Sequence, residues 1–169
     1  LTADAAGSVT LDTTVASADI STSAAGGVDI DETDAIVLSD VDTSDGAVTV
    51  DAGGQITATD VASLTDADAN DVNLTTTAGD ISVGTINAGS AGDATLNAAA
   101  NITDDGSALT VLAADVLTAD AAGSVTLDTT VASADISTSA AGGVDIDETD
   151  AIVLTDVDTS DGAVTVDAG

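Results

Sequence analysis

In Val48-Thr49-Val50-Asp51-Ala52-Gly53-Gly54-Gln55-Ile56-Thr57 an apolar and polar alternation runs into a pair of glycines and then starts again. Period-two alternation over so few residues is the mark of a short, half-buried β-strand. It turns Val48 and Val50 toward a core and Thr49 and Asp51 toward solvent. The glycines supply the turn.

The same unit recurs along the chain. Short alternating triplets stand at Val9-Thr10-Leu11, Val28-Asp29-Ile30, Val48-Thr49-Val50, Val72-Asn73-Leu74, Ala94-Thr95-Leu96 and Val125-Thr126-Leu127, spaced by 19, 20, 24, 22 and 31 residues. A second strand follows most of them, at Ala18-Asp19-Ile20, Ala35-Ile36-Val37-Leu38, Gln55-Ile56-Thr57, Asp80-Ile81-Ser82 and Asn101-Ile102-Thr103. A weaker third apolar patch is seen at Val61 to Leu64, Val83 to Ile86 and Ala108 to Leu112. Two or three short strands in about 20 residues describe one coil of a β-helix. The fold expected is therefore all-β, a right-handed parallel β-solenoid. Val, Leu and Ile point inward, and Thr, Asp and Asn point outward.

A longer repeat lies over this one. Residues 1–53 recur as residues 117–169 with a single change, Ser39 to Thr155. The sequence thus divides into one full 116-residue repeat, residues 1–116, and a partial second repeat, residues 117–169. Five coils are expected per repeat, beginning near residues 9, 28, 48, 72 and 94. The last, 94–124, is long enough to carry an extra strand or loop. With strands about 4.8 Å apart, one repeat lengthens the rod by roughly 24 Å.

The principal alternative is a string of immunoglobulin-like β-sandwich domains. Sandwich cores lean on a buried Trp or Tyr, and the chain has no aromatic residue at all. A narrow solenoid interior, by contrast, is filled by Val, Ile, Leu and Ala. Helix is disfavoured because Ala-rich stretches such as Asn97-Ala98-Ala99-Ala100-Asn101 carry no 3.6-residue stripe.

Composition narrows the function. There is no Lys, Arg or His against 31 acidic residues, a net charge of -31, and yet 44% of residues are hydrophobic and mean hydropathy is +0.36. Acidic disordered tails are not apolar in this way. Nucleic acid and anionic membranes both need cationic side chains to meet their phosphates, so neither is an expected partner. No apolar run approaches the roughly 20 residues of a membrane span. The chain lacks an initiator Met and any signal-peptide pattern at Leu1, and reads as an internal piece of something longer.

The cadence of Val48 to Ile56, and of Val72-Asn73-Leu74-Thr75-Thr76-Thr77-Ala78-Gly79-Asp80-Ile81, resembles the coils of filamentous-haemagglutinin-type bacterial exoproteins. That resemblance implies a long β-solenoid stalk placed outside the cell or on its surface. The chain departs from the pattern in lacking basic residues.

Aligned coil on coil, Asp12, Asp31 and Asp51 form one outward column, followed by Thr75 and Asn97 before Asp128 is expected to restart it. Carboxylates so stacked repel by roughly 1 kcal/mol or more per pair in water. Residues 1–116 contain 20 acidic side chains, so the rod carries about one charge per 1.2 Å of axis, against one per roughly 1.7 Å for duplex DNA. Cations are therefore expected partners, as a condensed atmosphere. Discrete calcium ligands are sought in Asp66-Ala67-Asp68-Ala69-Asn70-Asp71, where Asp66, Asp68, Asn70 and Asp71 alternate like the oxygens of a calcium loop. Asp40, Asp42 and Asp45, repeated as Asp156, Asp158 and Asp161, form a similar set whose plain reading is an Asp-Gly turn. No organic cofactor is expected.

Catalysis is disfavoured, since His, Lys, Tyr and Cys are absent and the Asp residues recur evenly instead of converging on a cleft. The function expected is structural: an extracellular filament or stalk whose partners are adjacent repeats, other fibre chains and cations. The alternative is an adhesin stalk or binding module, with calcium dependence as a variant of either.

Overall fold

A computed structural model describes residues 1–106 and 111–169. Among the described residues 18 strands pair into one continuous sheet, every pairing is parallel, and no helix is present. The chain is a parallel β-solenoid. Its strands stack in three ladders that run along the axis.

The first ladder climbs from β2 (Val9–Thr13) through β4 (Val28–Glu32), β6 (Val48–Ala52), β9 (Val72–Thr76) and β12 (Ala94–Ala98). It continues into the later part of β14 (Leu112–Ala121), the middle of β15 (Val125–Ala141) and β17 (Val153–Asp161). The second begins at the start of β3 (Ser17–Ala25) and of β5 (Ile36–Asp45) and passes through β7 (Ile56–Ala58), β10 (Ile81–Val83) and β13 (Ile102–Asp104). It ends through the start of β15, β16 (Val144–Glu148) and β18 (Val164–Ala168). The third holds β1 (Thr2–Ala5), the later parts of β3 and β5, β8 (Val61–Ser63), β11 (Ile86–Asn87) and the start of β14.

Parallel register makes like residues stack. Ile36, Ile56, Ile81 and Ile102 stand one above another in the second ladder and are at most 2% exposed. Leu11, Ile30, Val50, Leu74 and Leu96 likewise stand one above another in the first, all buried but Leu11, which is half-buried. Each coil therefore closes its interior only against its neighbours, so stability is of nearest-neighbour kind.

The long stretch 94–124 carries the extra strand its length suggests: Leu117–Ala121 forms a rung over Ala94–Ala98, and Val125 then stands over Ile102 on the second ladder. A strand that the sequence signals only faintly stands at Thr2–Ala5, where Ala fills two of the four positions. The apolar patch Ala108 to Leu112 falls partly outside the described residues, although Leu112 itself stands over Ile86.

Polar residues also enter the interior. Thr22, Thr43, Thr76 and Thr138 are buried, and each hydroxyl donates to a glycine carbonyl at its own corner: Gly26, Gly46, Gly79 and Gly142 respectively. The bond satisfies each of these four hydroxyls locally. Thr22 and Thr76 also accept from the backbone of the next coil, at Ser44 N and Ala99 N. The two glutamates, Glu32 and Glu148, are likewise buried. Glu32 Oε2 accepts from Val15 N at 2.8 Å and Oε1 from Asp34 N at 3.2 Å, so one carboxylate closes two successive corners. Glu148 repeats the arrangement with Val131 N, Asp150 N and the Thr129 hydroxyl.

Candidate cation-binding face

Alternation within β2, β4 and β6 puts Asp12, Asp31 and Asp51 on the outside, and parallel register sets them over one another. All three are exposed. A shallow groove of about 290 Å³ runs beside the column, lined also by Glu32, Thr33, Gly53 and Thr77. Above Asp51 come Thr75 and Asn97, as the sequence suggests. The next residue is Asp120, not Asp128. Asp128 lies on the strand that continues the second ladder, where Asp147 and then Asp167 stand over it. Alignment by sequence motif misses this because the coil circumference, and not the repeat, decides which residues stack.

Partial burial, and after it the repulsion of neighbouring carboxylates, raises four of the carboxyls. Burial, then Asp40 and Asp60, hold the Asp42 carboxyl above the ordinary aspartate range. Burial and then Asp40 raise Asp60. Asp128 is raised by burial and by Asp104, Asp147, Asp105 and Asp145. Asp93 is raised by burial, against the Val116 N hydrogen bond, with Asp71, Asp115 and Asp68 adding repulsion. In each of these four, burial acts first and neighbouring carboxylates add repulsion that no cationic side chain offsets.

The residues of the candidate calcium loop take separate positions. Asp66 accepts from the Ser90 hydroxyl and from Ala91 N, both at 2.7 Å, and these bonds hold its carboxyl below the usual range. Asn70 is buried and donates to Asp45 Oδ1 at 3.0 Å and Thr65 O at 2.9 Å. Asp71 Oδ1 accepts from Asp93 N on the coil above. Asp68 is exposed beside them. Three of the four side chains therefore join one coil to another. The second set is strand: Asp40 and Asp42 lie in β5, and Asp45 ends it at the Thr43 to Gly46 corner. Ser39 and Asp40 both point outward because a register shift there bends β5 from the second ladder to the third. Their counterparts Asp156, Asp158 and Asp161 are exposed on β17. Among the described residues no group of three or more acidic side chains converges on a point that could hold an ion.

Glu32 and the inward threonines, which sequence reasoning misses, are structural; their signal is a Thr with a Gly three or four residues after it. No family model, no curated protein and no solved structure matches the chain.

Proposed function

We propose that this chain is a stretch of a stiff extracellular filament or stalk whose polyanionic surface is neutralised by a condensed layer of cations, and that it has no catalytic role. The observation that supports the reading is the unbroken passage of the ladders across the repeat boundary, from Ala94–Ala98 to Leu117–Ala121 and from Ile102 to Val125. Successive copies stacked in this way make one rod. The surface charge is too dense and too evenly spread for a single site, which favours an ion atmosphere over discrete coordination.

Far-UV circular dichroism tests this in EDTA and in millimolar calcium, at low and at moderate sodium chloride. The reading expects a β spectrum in EDTA, with a melting temperature that rises with either salt and rises further per mole with the divalent one. A chain that is coil in EDTA and turns to β only with calcium would replace the atmosphere with structural metal sites. Electron microscopy of longer arrays separates filament from stalk, since a stalk ends in a distinct head.

A further inference from the structure

The two copies of the repeated segment have the same internal pairing but stand on different ladders. Val9 faces Val28 and Val125 faces Val144, each with its neighbours in the same register. Yet the ladder that begins at Val9 passes through Val28, Val48, Val72 and Ala94 and arrives at Leu117, the counterpart of Leu1. Val125, the counterpart of Val9, stands instead on the ladder of Ile36, Ile56, Ile81 and Ile102.

We infer that the 116-residue repeat is not a whole number of coils: each repeat enters the rod one ladder on from the last, a turn of about a third about the axis, so that its surface features are presented on three sides in succession. The first ladder climbs from Val9 to Leu117, and the remaining step to Val125 is the extra face. Solenoids commonly acquire a fixed rotation per repeat. Here the rotation comes from coil length alone.

The acidic columns carry the consequence for a partner. Asp12, Asp31 and Asp51 belong to the first ladder, whereas their counterparts Asp128, Asp147 and Asp167 belong to the second. A flat basic surface laid along one side meets the column only intermittently. Small cations or a flexible polycation can track it around the rod. For longer arrays this rests on the filament reading; for the junction within this chain it does not.

The absence of native cysteine makes a clean test. Thr95 and Thr118 are Cα partners, as are Thr103 and Thr126, and all four lie on the outer sides of their strands. Neighbouring strands fall within disulfide reach. The double variants Thr95→Cys/Thr118→Cys and Thr103→Cys/Thr126→Cys should oxidise so that both thiols vanish from titration. Thr95→Cys/Thr126→Cys, the pairing a whole number of coils requires, should keep both. Thr10→Cys/Asp29→Cys is the positive control within one copy. Closure of the 95/126 pair, or failure of both junction pairs while the control closes and β signal persists, overturns the inference. Either result is independent of whether arrays form filaments.

Discussion

Leu38 and Leu154 are the same residue of the repeat in its two copies, yet Leu38 is fully buried and Leu154 is 41% exposed. Leu38 has Ala58 above it in the second ladder; nothing described lies over Leu154. Val48 and Val164 make the same contrast, at 0% and 47% exposure. Burial here belongs to the stack and not to the local sequence. Leu38→Ala should therefore cost about 2–5 kcal/mol and Leu154→Ala much less, as read from paired urea titrations. Equal losses would contradict nearest-neighbour stabilisation.

The Thr43 to Gly46 corner packs backbone on backbone. A Cβ on Gly46 would come within 2.5 Å of the Gly26 carbonyl carbon, with no side chain able to give way, whereas one on Gly7 meets nothing within 4 Å. Gly46→Ala should destabilise by about 1–3 kcal/mol, and Gly7→Ala should leave the melting temperature nearly unchanged.

Glu32 offers a third test. Truncation in Glu32→Ala strips the acceptor from Val15 N and Asp34 N, leaving donors at two corners unmet. The expected cost is about 1–3 kcal/mol. Glu32→Gln keeps an oxygen acceptor but adds donors facing donors, so it should recover only part of the loss. Calorimetric melts of the three proteins rank them directly.

Acid should strengthen the fold before weakening it. The raised carboxyls of Asp42, Asp60, Asp93 and Asp128 bind a proton more readily folded than unfolded. As pH falls from neutral through their folded values toward the unfolded value near 3.8, stability rises. Asp66 acts oppositely, its lowered value giving stability that is lost only as pH falls below that of the unfolded chain. Melts at low ionic strength should give a higher transition near about pH 4.5 than near neutral pH, a gap that added salt narrows. A transition that falls steadily from neutral pH would refute this account.

The architecture was legible wherever a residue's fate depended on its immediate neighbours. Val48 and Val50 are inward because of alternation alone, and the same holds for Ile56 and Ile81. What the sequence concealed depended on closure of the coil. Leu117-Thr118-Ala119-Asp120-Ala121 looks like linker, because two alanines make a faint apolar signal, and it is a full rung. Thr43 reads as an outward residue until its hydroxyl is seen to bond the carbonyl of Gly46. The acidic stacking of Asp12, Asp31 and Asp51 is readable from coils of nearly equal length, while Asp128 is misplaced as soon as the repeat and the circumference fall out of step.

The direction of the ladders has a mechanical consequence. Their hydrogen bonds lie along the axis, so a pull on the two ends loads the coils in series, and the outermost yields first, alone. Peeling a coil of 20 residues, the spacing of Val28 and Val48, gives up about 4.8 Å of rod and releases roughly 70 Å of extended chain. Under tension such a rod lengthens in discrete steps, dissipating work one coil at a time while the remainder keeps its shape.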